Sequence, residues 1–160
     1  MLAVQHAAAV ACLQAAGSAD KTVAALASGK QLATWAVVED AAHPDAMTTQ
    51  TRAVEGDGGW LLTGRKHLVL AGGVAHVALV TATVDAGVAV FVVPLAGQGV
   101  RRIPLDTALG LRAAGLVALE FEGAKATQRL EIVATPWLDL ARLGAAAVAV
   151  GAAREALRVA

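Results

Sequence analysis

Residues 51–63 read TRAVEGDGGWLLT, and this stretch decides the class of fold. The run GDGG at 56–59 is a strong turn signal because Gly and Asp accept the backbone angles of tight turns. It separates two short segments suited to strands, Thr51–Glu55 and Trp60–Thr63. A turn of this kind between two such segments predicts a β-hairpin.

The segments that follow have the same pattern. Val77–Val84 and Val88–Val93 are apolar runs on either side of the turn residues 85–87, which predicts a second hairpin. In residues 117–122, Val, Leu and Phe alternate with Ala, Glu and Glu, which predicts a strand with one solvated face. We therefore expect an antiparallel β-barrel or sandwich as the middle part of the chain.

Helical patterns lie on both sides of these strands. Residues 2–16 are rich in Ala and contain no Gly or Pro, which favours a helix. Ser18 and Gly29 are suited to begin and end a second helix, so an N-terminal helical hairpin is expected. Pro136 precedes a helix that continues to the C terminus. The predicted fold class is α+β, with domains at residues 1–32, 33–133 and 134–160.

Composition excludes several classes of protein. Hydrophobic residues make up 57% of the chain and charged residues 16%, which excludes intrinsic disorder. The 13 basic and 13 acidic residues cancel, so no electrostatic footprint for nucleic acid is present. The single cysteine and the absence of a basic residue before Lys21 argue against export. We expect a cytoplasmic protein without a membrane span.

The last helix predicts an interaction surface. From Leu143 to Ala153 the sequence contains no charged residue, so no face of this helix is suited to water. A helix that is apolar all round has to be covered all round. We expect the chain to form a homo-oligomer or hetero-oligomer through this helix.

Five segments, in order and spacing, resemble the acyl-CoA dehydrogenase family. They are SADKTVAALASGKQLATWAVV (18–38), GDGGWLLTGRKHLVLAGGVAHVALVTATV (56–84), VAVFVVPLAGQGV (88–100), LGLRAAGLVALEF (109–121) and LARLGAAAVAVGAAREAL (140–157). The resemblance implies the end of an N-terminal helical domain, a middle β-domain and the start of a C-terminal helical bundle. A whole family member is more than twice as long.

The resemblance implies a flavoprotein that uses FAD to oxidise an acyl-CoA thioester at its α and β carbons. It implies substrate contact at Pro44 and cofactor contacts at Trp35, Val37, Val38, Leu68, Val69 and Leu70. The family has hydroxyl groups at positions 38 and 70 and an aromatic ring at position 68, all of which are apolar here. It has Gly-Ser where this chain has His43 and Pro44, and Pro44 has no backbone N–H to donate. Loss of three hydrogen bonds, each worth about 0.5–1.5 kcal/mol, predicts FAD binding weakened by about one to three orders of magnitude.

No catalytic residue is assigned by the resemblance. The family's catalytic Glu lies in helical segments outside the five matches, so we expect the chain alone not to oxidise acyl-CoA. Two alternatives stay open beside a divergent or incomplete enzyme. The chain could be a non-catalytic structural subunit that pairs with an active homologue, or an inactive gene fragment.

The remaining polar residues are predicted to be structural. The histidines have no metal-ligand spacing, and His67 and His76 are expected at solvated strand edges. Glu39 and Asp45 could form an acid–base pair, but ordinary surface charge is the favoured interpretation. The arginines at 101–102 suit either a solvated strand face or the phosphates of CoA.

Overall fold

The computed structural model describes residues 2–18, 21–40, 42, 49–56, 58–105, 112–132 and 135–159. Within these ranges the chain forms three α-helices, eight strands and one short 3₁₀ helix. In chain order they are α1 (Leu2–Ala15), α2 (Lys21–Ala27), β1 (Ala33–Ala36), β2 (Arg52–Gly56), β3 (Gly59–Val69), β4 (Val77–Val84), β5 (Gly87–Pro94), β6 (Val100–Pro104), the 3₁₀ helix (Arg112–Ala114), β7 (Val117–Lys125), β8 (Gln128–Leu130) and α3 (Thr135–Val159).

The strands form one mixed sheet. Its order is β6-β7-β3-β2-β4-β5-β8, and β1 pairs with β4 beside this path. Most neighbours are antiparallel, as expected, but β1 and β2 both run parallel to β4. Ala33–Ala36 pairs with Val77–Val80, and Arg52 meets Thr83, so β1 and β2 lie one after the other along the same edge of β4. The α+β class is confirmed, and the path of the described strands does not close into a ring.

Both predicted hairpins are present. Around the GDGG turn, β2 pairs with β3 from Arg52↔Thr63 to Gly56↔Gly59. Gly59 has φ +108°, a backbone conformation that disfavours a residue with a Cβ. The second hairpin joins β4 to β5, and its register ends at Val84↔Gly87.

Strands β4 and β5 are continuous apolar runs because each is buried on both faces. On one face Val80 and Phe91 pack with Leu119 and other residues of β3 and β7. On the other face Leu79 and Val92 pack with residues of the three helices. Burial on both faces removes the hydrophobic–polar alternation that a half-exposed strand would show.

The two helices expected at the N terminus are both present. α1 is buried along one side, and Cys12 lies in its core face, where burial raises the pKa of the thiol to about 12. Gly29 has φ +73° after the end of α2, and its N–H donates to the carbonyl of Leu26. Ser18 lies three residues before α2, and its hydroxyl donates to Gln128 Oε1 at 2.9 Å. The N-cap role of Ser18 stays a prediction, because residues 19 and 20 lie outside the described residues.

Within a single chain, helix α3 is covered on one side only. Leu138 and Ala141 are buried against the helical side of the sheet, but Leu143, Val150 and Leu157 are 69%, 68% and 81% exposed. The reason is that α1 is the helix that contacts α3, and it covers one side of the first part of α3. The oligomer expected through α3 stays a prediction. None of the described helices has the length and hydropathy needed to cross a membrane.

Candidate functional site

Two segments far apart in sequence run side by side at the end of β1. Three hydrogen bonds join residues 34–38 to residues 66–70. They are Thr34 Oγ1 to the carbonyl of Leu70 (2.5 Å), Lys66 Nζ to the carbonyl of Val37 (3.2 Å) and the amide of His67 to the carbonyl of Val38 (2.6 Å). These bonds bring together the two segments to which the resemblance assigns cofactor contacts.

The end of β3 is irregular at this place. Its pairing with β7 shifts register between Lys66 and Val69, and Leu68 has φ +53°. Positive φ is uncommon for a residue with a side chain and costs free energy that the surrounding structure has to supply. The register shift places the side chains of Leu68 and Val69 in different surroundings. Val69 is buried in the core between the strands, whereas Leu68 is 39% exposed and Leu70 half-buried.

A cavity of about 250 Å³ lies where these two segments meet the helices. Five of the six residues expected to contact a cofactor line it: Trp35, Val37, Val38, Leu68 and Leu70. The sixth, Val69, points into the sheet core instead. Pro44, the expected substrate contact, lies outside the described residues. The geometry therefore places five residues from two segments around one volume.

The helices supply lining residues to which the family resemblance assigns no contact. Gln5 comes from α1, and Leu138, Ala141 and Arg142 come from the first turns of α3. Their place at the cavity depends on helix packing, which a linear pattern does not encode. His67 was within reach of sequence reasoning, because it lies between Lys66 and Leu68 in a segment already matched to the family.

The prediction that His67 is a solvated edge residue is wrong. His67 is half-buried in the cavity wall, because its amide bond to Val38 holds the end of β3 against the segment after β1. The same prediction is confirmed for His76, which is exposed, and whose Nδ1 accepts a hydrogen bond from the amide of Leu32 at 3.1 Å. The two histidines therefore have different roles.

Three polar atoms at the cavity are buried without a hydrogen-bond partner in the described structure. They are Gln5 Oε1, Trp35 Nε1 and His67 Nδ1, and all three residues line the cavity. A buried polar atom without a partner costs about 1–3 kcal/mol, and native proteins contain few of them. The three atoms are shielded from solvent, so they do not open onto the empty volume of the cavity.

The favoured interpretation of Glu39 as ordinary surface charge is wrong. Lys66 is fully buried, and its Nζ donates to Glu39 Oε1 at 2.7 Å. The same ammonium group donates to Thr49 Oγ1 at 2.6 Å and to Thr81 Oγ1 at 3.0 Å. Together with the carbonyl of Val37 these acceptors compensate a buried charge that would otherwise be very costly. Asp45, considered with Glu39, lies outside the described residues.

Glu39 also holds the three residues that directly precede β2. Its carboxylate accepts hydrogen bonds from the Thr49 hydroxyl and from the amides of Gln50 (2.6 Å) and Thr51 (2.9 Å). Burial raises the pKa of Glu39, but the bonds from Lys66, Thr49, Thr51 and Gln50 outweigh it and lower the pKa to about 2. Burial lowers the pKa of Lys66 to about 8, against the opposing effect of Glu39. Both groups are therefore ionised at neutral pH.

The arginines at 101–102 lie away from this cavity. Arg101 forms an ion pair with Glu120 on the neighbouring strand β7, and Arg102 donates to the carbonyl of Ala75 at 2.8 Å. Both side chains are largely exposed, which agrees with the strand-face interpretation. Among the described residues, no group of three His, Cys, Asp or Glu side chains is arranged to hold a metal ion.

Comparison with known proteins identifies the matched region. Residues 34–124 match the family model described as acyl-CoA dehydrogenase, middle domain. A sequence search of the curated proteins finds no match.

Solved structures with the same fold cover nearly all of this chain. Glutaryl-CoA dehydrogenase from Mycobacterium smegmatis superposes with a TM-score of 0.87 and 28% identity, over 98% of this chain and 43% of its own. The electron transferring flavoprotein of Acidaminococcus fermentans gives 0.82 and 25%, over 93% and 43%. A structure described as an FAD-dependent dehydrogenase gives 0.67 and 26%, over 77% and 36%. The chain thus spans less than half the length of these proteins.

Proposed function

The chain belongs to the acyl-CoA dehydrogenase family, because more than half of it matches the family's middle domain, and we propose that it binds the flavin ring of FAD. The wider reaction proposed is oxidation of an acyl-CoA thioester at its α and β carbons. The substrate identity and the physiological electron acceptor are left open by this proposal. FAD, when bound, would supply the hydride-accepting chemistry.

One observation carries the proposal. Five residues that the family resemblance assigns to cofactor contact line a single cavity, although they come from segments thirty residues apart in sequence. The similar structure of the FAD-dependent dehydrogenase supports the same ligand. A chance placement of the two segments would not bring the assigned positions to one volume.

The residues present fit the ring of a flavin better than the whole of FAD. The cavity, at about 250 Å³, lies just below the range of about 300–1,000 Å³ typical of ligand pockets. Its walls are apolar at Val38, Leu68 and Leu70, which suits a flat aromatic ring. This chain would therefore hold one part of the cofactor.

The residues of this chain would act by shaping the site and excluding water. Lys66 and His67 hold the carbonyls of Val37 and Val38 in place. Val38 and Leu70 have no side-chain donor, so neither can form the hydrogen bond that the family makes there. We therefore expect flavin binding that is weak but measurable.

A specific observation favours a second candidate function, that of a non-catalytic subunit paired with an active homologue. Among the described residues, no carboxylate lines the cavity, and the family's chemistry needs a Glu to remove the α-proton. Glu39 directly follows the cavity residue Val38 in the sequence, but its carboxylate is paired with the ammonium group of Lys66. A carboxylate already paired with an ammonium group is a poor general base.

Flavin binding is tested by titrating the purified chain with FAD and following the quenching of flavin fluorescence. The wild type should bind weakly, and the double variant Val38→Thr with Leu70→Thr should bind about tenfold more tightly, because two hydroxyl donors are restored. Val74→Thr is the control, since Val74 is exposed outside the cavity. Absence of binding by both the wild type and the double variant contradicts the proposed function.

An activity assay tests whether the chain alone carries out the wider reaction. The chain is incubated with FAD, an acyl-CoA and an acceptor dye, and reduction of the dye is compared with a blank without protein. We expect no reduction above the blank, because this chain supplies no carboxylate at the cavity. Reduction above the blank would reject the non-catalytic subunit and would establish an enzyme.

A further inference from the structure

We propose that a second groove, away from the proposed flavin cavity, binds a small organic phosphate monoester through Arg102 and His76. The groove has a volume of about 520 Å³ and lies between the loop before β4, strands β5 and β6, and the region of α2. It shares no lining residue with the cavity around Trp35. The inference therefore does not depend on flavin binding by this chain.

The polar lining of the groove favours an anion. Arg102, His76, Thr22 and Gln31 all have side-chain hydrogen-bond donors, and the guanidinium group of Arg102 is always charged. None of the described residues that line the groove is acidic. A cleft lined by charge of one sign attracts ligands of the opposite sign. The groove is therefore suited to an oxyanion and unsuited to a cation.

Most of the donors of Arg102 are available to a ligand. Its Nη2 donates to the carbonyl of Ala75 at 2.8 Å, and the side chain makes no other hydrogen bond within the described part of the chain. A guanidinium group has five N–H donors in a planar fork, which suits two oxygens of a phosphate group at once. The neighbouring Arg101 differs, because it is paired with Glu120 and does not line the groove.

His76 lies next to this guanidinium group and is held in place. The carbonyl that Arg102 contacts belongs to the peptide bond between Ala75 and His76. The amide of His76 donates to the carbonyl of Leu32, and its own carbonyl accepts from the amide of Leu95, both at 2.8 Å. Because Nδ1 accepts from the amide of Leu32, the neutral ring has its proton on Nε2. Such anchoring of a donor lowers the entropic cost of binding.

The apolar part of the groove indicates an organic phosphate rather than the inorganic ion. Val74, Val77, Val92 and Pro94 supply this part of the lining. The volume lies within the range of about 300–1,000 Å³ that is typical of pockets for small molecules. Val74 is 56% exposed, so an apolar group bound beside it would remove apolar surface from water.

Calorimetric titration of the purified chain with phenyl phosphate, at constant ionic strength, tests the groove. The wild type should bind phenyl phosphate more tightly than inorganic phosphate or benzyl alcohol, because only phenyl phosphate has both a charged and an apolar part. Arg102→Met should weaken binding about 10- to 100-fold, as expected for loss of charge-assisted hydrogen bonds. Arg102→Lys, which keeps the charge but not the planar fork, should have a smaller effect. Arg101→Met is the matched control and should bind as the wild type does.

A second variant tests His76 without removing the bond that holds it. In His76→Asn the amide oxygen can still accept from the amide of Leu32, but the donor at Nε2 is lost. Binding of phenyl phosphate should weaken about 2- to 10-fold, as expected for one hydrogen bond, with the melting temperature nearly unchanged.

Two results would overturn the proposed groove. One is the absence of phenyl phosphate binding by the wild type at millimolar concentration. The other is an equal loss of binding in Arg101→Met and Arg102→Met, which would show that general surface charge attracts the anion. Lumiflavin binding, measured separately, should be unchanged in Arg102→Met. Loss of lumiflavin binding by a wild type that still binds phenyl phosphate would contradict the proposed function and support the groove.

Discussion

The ion pair between Lys66 and Glu39 determines more of the site than any other pair of side chains described. It links β3 to Glu39, which directly follows the cavity residue Val38, and Lys66 also donates to Thr81 on β4. Lys66 is completely buried, whereas the Glu39 side chain is 18% exposed. Removal of one partner from such a pair leaves an uncompensated charge, which is usually more costly than replacement of both partners by apolar groups.

Glu39→Gln should lower the free energy of unfolding by about 3–5 kcal/mol at pH 7, because Lys66 loses its counter-charge. Urea denaturation measures the effect. Glu55→Gln, the same substitution at an exposed position on β2, is the control and should have little effect. The double variant Glu39→Gln with Lys66→Met should be more stable than Glu39→Gln alone. A loss no larger than that of Glu55→Gln would contradict the structural role of the pair.

The same pair predicts a pH dependence. The pKa of Glu39 is lowered from 4.5 to about 2 in the folded chain, so the unfolded chain binds more protons between these values. The stabilisation is therefore complete above about pH 4.5 and is lost as the pH falls through 2, with a total on the order of 3 kcal/mol. Denaturation of the wild type from pH 6 to pH 2 measures it. Glu39→Gln should lack this component, and parallel profiles for the two proteins would disagree with the assignment.

At the scale of elements, the contact between α1 and α3 is set by one glycine. A Cβ built at Gly144 would clash with the side chain of Val4, so the helices meet where α3 has no side chain. A Cβ built at Gly151, seven residues later on α3, would meet no described atom within 4 Å beyond its own stretch of helix. The two glycines lie in the same helix, but they differ in what surrounds them.

Substitution of these glycines by alanine should therefore have opposite effects on stability. Gly151→Ala should raise the free energy of unfolding by about 0.5–1 kcal/mol, since alanine favours the helix. Gly144→Ala should lower it by about 1–3 kcal/mol, because the methyl group crowds Val4. Thermal unfolding of both variants is the measurement. Stabilisation by Gly144→Ala would show that α1 does not lie so close to α3.

At the scale of the molecule, α3 has an apolar stripe that the other described residues leave exposed. Leu143, Val150 and Leu157 are spaced by seven residues and are mostly exposed, so they lie along one side of the helix. This spacing is typical of helices that pack on another helix. The stripe is the physical basis for the oligomer expected from the sequence.

The wild type should be dimeric or larger in light scattering at micromolar concentration, and Val150→Glu should shift it toward a smaller species, because a charge in a helix interface is costly to bury. Val54→Glu is the control, since Val54 is 64% exposed on the sheet. A monomeric wild type, or equal masses for the two variants, would show that the stripe is not an interface of this chain.

The sequence alone was sufficient for elements defined by neighbouring residues. The GDGG turn, the second hairpin and the Ala-rich α1 were predictable because turn chemistry and helix propensity act over a few residues. The family motifs likewise marked the two segments that line the cavity. The parallel pairing of β1 with β4 could not be predicted in this way, because it joins residues more than forty positions apart.

Only the tertiary structure decided the details of the site. Leu68 lines the cavity and Val69 does not, because a register shift and a positive φ at Leu68 break the alternation of a regular strand. Glu39 was assigned to the surface because it was expected on an exposed loop, while its partner Lys66 lies 27 residues away in the sequence. Gln5 and Arg142 reach the cavity through helix packing. Burial and ion pairing depend on contacts between distant segments, and local sequence patterns do not encode them.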